Sequence, residues 1–195
     1  YRTALAIAQK AQASDQPVLF GIYSHLAECL RARGKFSEAV KMRKRSLGKK
    51  LELFGEDHPT VASDYNCIGV LLMEQDRLQE AGMMFEKALE IVEHTSGPFN
   101  AKVASSILNN QAHMHTQEGN YDKALNLYEK VLEMALEMFG EMHLETATAY
   151  YNVSWLYLEQ GTLEDATAMS TKSLKIHRRL LGDDHPATER NMTSH

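Results

Sequence analysis

Nine histidines and two cysteines are the side chains in this 195-residue sequence that could ligate a metal or pair a nucleophile with a base. Their spacing supports neither use. His113 and His115 are two apart, so on a helix they diverge by about 200° and cannot share a metal on one face. Cys29 and Cys67 belong to no Cys-x-x-Cys pair or neighbouring ligand pattern, so small buried thiols are expected there. His58, His143 and His185 recur at one phase of an internal period, which fits a capping role at turns. No Gly-rich phosphate loop, G-x-S-x-G or H-E-x-x-H occurs. Carboxylates such as Glu86 and Glu90, four apart, read as a solvated helix face. These readings predict no enzyme, no metal and no cofactor.

Charge is uneven. The net value is −5, yet residues 31–50 hold Arg31, Arg33, Lys35, Lys41, Arg43, Lys44, Arg45, Lys49 and Lys50 against Glu38 alone. That window is +8, so the rest is −13. Such an acidic balance argues against a general nucleic-acid binder, while the window could dock an acidic partner segment near the N-terminal repeats. The alternative for the window is a solvated outer face, with Arg31 and Arg33 serving a helix C-terminus. Eleven Gly and four Pro leave little room for the turns of an all-β fold, and the ten Met with many Leu and Ala favour helix. Two cysteines make no disulfide framework and point to a reducing, cytoplasmic setting. No apolar run approaches the ~18–20 residues of a membrane span. The chain opens at Tyr1 without Met or a signal-peptide pattern, and reads as a segment of something larger.

The elements that position these residues follow from repetition. Gly34-Lys-Phe-Ser-Glu-Ala39, Asp76-Arg-Leu-Gln-Glu-Ala81, Gly119-Asn-Tyr-Asp-Lys-Ala124 and Gly161-Thr-Leu-Glu-Asp-Ala166 align, their Ala residues 42, 43 and 42 apart. Gly55, Gly97, Gly140 and Gly182 keep the same spacing, as do Leu47, Leu89, Leu132 and Leu174. Before each Ala runs an apolar stripe of helical spacing: Tyr23, Leu26, Ala27, Leu30; Tyr65, Ile68, Gly69, Leu72; Tyr150, Val153, Ser154, Tyr157. A second stripe follows, as in Ala81, Phe85, Ala88 and Leu89. Each unit is therefore two helices, with a small residue in the first that lets the second approach. Glycines close the helices, and Asp57-His58-Pro59 and Asp184-His185-Pro186 restart the chain. The predicted repeats are 17–55, 59–97, 101–140 and 144–182 within a single domain 1–195, preceded by a helix tail at 1–13 and followed by a new helix from 186–195.

Tyr65, Ile68-Gly69, Leu72, Ala81 and Phe85, with Leu108, Ala112, Ala124 and Tyr128, resemble the tetratricopeptide repeat. The 42-residue period and the Gly-Glu-Asp-His-Pro ending resemble the repeats of kinesin light chains. The resemblance implies an all-α, right-handed superhelical solenoid of antiparallel helix pairs, with four full repeats and a half-repeat at each end. It implies a binding module of adaptor or scaffold type, not a catalyst. Arg43 and Ser170 stand where the pattern has an aromatic, so looser packing is expected in the first and fourth pairs. Gln111 and His115 replace two apolar positions of the third, where we expect a buried amide–imidazole pair.

On this reading the first helices line a concave groove. Its predicted residues are Ser24, Glu28 and Arg31; Asn66, Val70 and Met73; Asn109, His113 and Thr116; and Tyr151, Asn152, Trp155 and Leu158. Apolar patches alternating with amides suit an extended peptide, since Asn both donates and accepts. Asn66, Asn109 and Asn110 match the asparagines of the resembled repeats, and Trp155, the only Trp, is the candidate anchor. Its alternative is packing on the adjoining unit. The cationic clamp for chaperone tails is missing, because its places hold Ser24, Glu28, Cys67, Ser106 and Asn110. The expected partner is a protein or peptide. The rival reading is an assembly arm that self-associates through open solenoid ends.

Overall fold

Each helix hairpin is closed by one left-handed residue. Gly34, Gly119 and Gly161 have φ of 70°, 74° and 78°, a conformation in which a side chain crowds the backbone. The next N–H reaches back to the carbonyl five residues earlier: Lys35 to Leu30 at 2.9 Å, Asn120 to His115 at 2.8 Å, and Thr162 to Tyr157 at 2.9 Å. That same residue's carbonyl then accepts from the shared Ala, at 3.0 Å for Ala39 and 3.1 Å for both Ala124 and Ala166. The repeated signature thus ends one helix and starts the next. Asp76 occupies the glycine's place in the second hairpin at φ 59°, with the same closure from Arg77 to Leu72 at 3.0 Å.

The computed structural model describes residues 16–94 and 98–183, with His185, Pro186 and Thr188. Among them are eight helices and no strand: α1 (Gln16–Arg31), α2 (Phe36–Phe54), α3 (Pro59–Met73), α4 (Leu78–Glu93), α5 (Pro98–Gln117), α6 (Tyr121–Phe139), α7 (Leu144–Gln160) and α8 (Leu163–Leu181). The all-α class expected from the period is what the chain adopts. Hairpins α1–α2, α3–α4 and α7–α8 pack closely, and α2 also packs on α3 and α6 on α7. The expected helix tail 1–13, Gly97, the Asp184 cap and residues 189–195 lie outside the described residues, while Pro186 and Thr188 are helical. The chain divides into two compact units, residues 1–110 and 111–195.

In the first unit Ala39 and Ala81 are wholly buried, as is Phe85. Phe85 lies against Gly69, where an added Cβ would fall 2.5 Å from its ring. In the second unit Ala112, Ala124, Tyr128, Val153 and Leu156 form one core cluster and Ala147, Tyr150 and Ile176 another. Burial pushes the Tyr128 phenol up to about 12, against the opposing hydrogen bond with Thr116. A cation lies over a tyrosine ring across three hairpins: Arg45 on Tyr23 at 5.9 Å, Lys87 on Tyr65 at 5.8 Å and Lys172 on Tyr150 at 5.2 Å. Two of the recurring histidines, His58 and His143, do cap. Nδ1 of His58 accepts from the Thr60 N–H at 3.3 Å and that of His143 from Glu145 at 3.1 Å. Phe54 and Phe139 stack on these two rings with centroids 4.4 and 4.5 Å apart.

Two substitutions test this geometry by chemical denaturation. Gly69→Ala gains helix propensity but collides with Phe85, so overpacking prevails and stability falls by about 1–2 kcal/mol. Gly48→Ala, in α2 with nothing near its Cβ position, gains about 0.5–1 kcal/mol and serves as control. Asp76→Gly relieves the left-handed aspartate and stabilises the second hairpin by roughly 0.5–1 kcal/mol.

Candidate protein-binding faces

The aromatic missing at position 43 is replaced by charge. Arg43 is buried in α2 and donates through Nη1 to Asp64 Oδ1 at 3.1 Å and through Nη2 to Glu28 Oε1 at 2.5 Å. Asp64, wholly buried on α3, also takes Lys50 Nζ at 3.0 Å and Ser46 Oγ at 2.8 Å. Lys50 is buried as well, and Ser46 Oγ lies 3.0 Å from Ser24 Oγ. Two acids and two bases thus balance between α1, α2 and α3, and the looser packing expected at Arg43 is not found. Ser170 is likewise buried. Beside this cluster, burial pushes the Cys67 thiol above its ordinary value, which keeps it protonated and unreactive. Cys29 is exposed, contrary to the expectation of a buried thiol, because it lies off the stripe that packs α1.

The network fixes where the predicted groove residues of the first unit point. Ser24 and Glu28 are engaged with Ser46 and Arg43, and Arg31 Nη2 pairs with Glu74 Oε1 at 2.9 Å. Asn66 is buried and central to an amide chain: Asn110 Nδ2 donates to Asn66 Oδ1 at 2.9 Å, and Asn66 Nδ2 donates to Ser106 Oγ at 3.2 Å. Val70 and Asn109 are half-buried, and Met73 is buried. Five of the nine cations in the basic window form ion pairs. Lys35 pairs with Glu38 at 3.1 Å and Lys49 with Glu52 at 2.6 Å, beside the partners of Arg31, Arg43 and Lys50 already described.

In the second unit α7 presents Tyr151, Asn152, Trp155 and Leu158, all half-buried. The exposed His113 of α5 meets Trp155 edge-on, with centroids 5.3 Å apart and planes at 69°. Such T-shaped contacts hold an aromatic without covering both its faces. Thr116 is turned inward, its hydroxyl donating to the Ala112 carbonyl at 2.9 Å. The expected Gln111–His115 pair does not form. Nδ1 of His115 lies 3.0 Å from Glu118 Oε2, since near the helix end a carboxylate one turn on is a stronger partner than an amide. Among the described residues, no helix is long and apolar enough to cross a membrane.

The chain is similar to known repeat proteins. Two family descriptions, both "Tetratricopeptide repeat", match the chain, one over residues 21–60 and 61–101 and the other over 103–177. A clustered mitochondria protein homolog from Debaryomyces hansenii is 23% identical over 152 residues, which are 78% of this chain and 11% of the relative. The Homo sapiens homolog is 22% identical over 186 residues, 95% of this chain and again 11% of the relative. The chain therefore spans about a ninth of either relative's length. Among solved structures, BtubC (BKLC) from P. vanneervenii aligns with a TM-score of 0.74 at 23% identity, covering 95% of this chain and 73% of that one. A putative kinesin light chain with nearly identical TPR-like repeats, from Podosopora anserina, aligns with a TM-score of 0.72 at 17% identity, covering 88% and 81%. The fold is that of these repeat proteins.

Removing one partner of a buried ion pair leaves the other charge uncompensated. Asp64→Ala is therefore expected to lower the unfolding free energy by about 3 kcal/mol or more, read as a shift of the urea midpoint.

Proposed function

Because the chain belongs to the tetratricopeptide repeat family, we propose that it is a non-catalytic module of adaptor type that holds a peptide or partner segment on the exposed faces of its first helices. The observation that carries this reading is the corner formed by Trp155 and His113. A half-buried indole with an edge-on imidazole offers an apolar contact that loses little conformational freedom on binding. Tyr151, Asn152 and Leu158 beside it supply further apolar area and an amide. In the first unit, the buried Asn66 holds the half-buried Asn110 by accepting from its Nδ2, and the Asn110 amide keeps acceptor capacity suited to the backbone of an extended segment. The ion pairs of the basic window leave an acidic partner with less to engage than the sequence alone promises.

We read the repeats as 17–55, 59–97, 101–140 and 144–182 of one domain. Two free cysteines, one of them exposed, favour a reducing, cytoplasmic setting. Within a larger protein of the clustered mitochondria kind, the segment would supply one protein-binding face.

A partner segment selected from a displayed peptide library tests the reading. Since Trp155 is the only indole, its emission reports occupancy of this face directly. Binding is expected to shift that emission, and Trp155→Ala or His113→Ala is expected to weaken binding at least 10-fold, about 1.4 kcal/mol, with the melting temperature nearly unchanged. Selected segments that bind both variants as tightly as the unaltered chain would place recognition elsewhere.

A further inference from the structure

The outward faces of α6 and α8 carry opposite charge at equivalent positions of the repeat. On α6 the exposed Glu129, Glu133 and Glu137 stand one turn apart along an open trough floored by Leu132 and Leu136, and they outnumber the one cation that lines it, Lys130. Forty-two residues on, the same positions of α8 are Thr171, Lys175 and Arg179, exposed along a trough that contains Leu174. Arg178 also lines this trough but is engaged with Asp183 at 2.9 Å. Helix α7 packs against both α6 and α8, and short turns before and after it reverse the chain twice. Helices α6 and α8 therefore run in the same direction, and residues 42 apart lie at similar heights.

We propose that these two faces join two copies of this chain about a two-fold axis parallel to α6 and α8. Such an axis lays α6 of one copy on α8 of the second, and α8 of the first on α6 of the second. The repeat spacing then sets the register. Glu133 meets Lys175 of the second copy, Glu137 meets Arg179 of the second copy, and Leu132 meets Leu174. Each contact occurs twice. The leucines exclude water at the centre, and the charges select the register and reject a shifted one. Charge complementarity is what identifies the occupant: both halves of the match lie on one chain at matching heights, whereas an unrelated partner would need only one of them. The indole corner lies on α7 and α5, so this interface stands independently of the peptide-binding reading.

Sedimentation equilibrium of the chain at low and high salt tests the proposal. The unaltered chain is expected to form a concentration-dependent dimer that weakens as salt rises, because exposed charge pairs are screened. Glu133→Lys with Glu137→Lys, and separately Lys175→Glu with Arg179→Glu, should each raise the dissociation constant at least 10-fold. The neutral pair Glu133→Gln with Glu137→Gln should weaken association by less than either reversal. An equimolar mixture of the two reversed variants should recover dimerisation, since each altered face finds its opposite on the other variant. Circular dichroism confirms that these surface variants are folded. A chain that stays monomeric at all concentrations would leave the faces to a different protein and overturn the proposal. So would reversed variants that associate like the unaltered chain, which would assign association to another surface, or a mixture no better than its components.

Discussion

Close approach of two helices at a fully buried alanine governs the rest of this architecture. Ala39, Ala81 and Ala124 leave no surface to solvent, and each closes the first turn of its helix on the residue just after the left-handed turn. A larger side chain there would drive the hairpin open. Because turn and alanine are locked together, the rotational phase of both helices about their axes is set. Everything functional follows from that phase: which side of α7 shows its indole, and which side of α6 or α8 shows its charges.

Within that constraint the packing is solved differently from hairpin to hairpin. The second hairpin uses an aromatic against a glycine, Phe85 on Gly69. Around Tyr128, burial keeps a phenol neutral within the core, outweighing the opposing hydrogen bond with Thr116. The first hairpin fills the same place with Arg43, and Asp64 and Glu28 balance the charges of Arg43 and Lys50. Burying Arg43, Lys50 and Asp64 carries a desolvation cost that good geometry and mutual hydrogen bonds must offset, and Asp64 meets that condition by accepting three bonds. Cations over Tyr23, Tyr65 and Tyr150 add a smaller contribution, about 0.5–1 kcal/mol each where exposed.

The architecture was legible in the sequence because its determinants are local and repeat: a left-handed residue, an alanine five positions on, apolar stripes at helical spacing. The histidine caps were legible for the same reason. The charge cluster was not, because no local pattern joins Glu28, Arg43, Lys50 and Asp64; they meet only when α1, α2 and α3 pack. Position 43 signalled a departure, yet its partner on another helix is invisible until the fold exists. The Gln111–His115 pair failed because spacing alone names neighbours without ranking them, and Glu118 is the stronger acceptor. The tyrosine–cation pairs were within reach, since Tyr23, Tyr65 and Tyr150 each precede their basic partner by 22 residues. At the candidate site, sequence placed Trp155 off the packing stripe, but the engagement of Ser24, Glu28 and Arg31 with neighbouring side chains required three dimensions.

The Asp64 cluster also bears on how such a protein can change over time. Repeat arrays lengthen and shorten by duplicating or deleting whole units, which works when every junction is alike. The junction between α2 and α3 is not alike, for it is keyed by a carboxylate on one side and two cations on the other. Inserting a unit there, or moving the first unit elsewhere, would strand buried charge at the new boundaries. The order of the first two units is thereby written into their electrostatics, and growth by duplication is steered to junctions closed by neutral side chains.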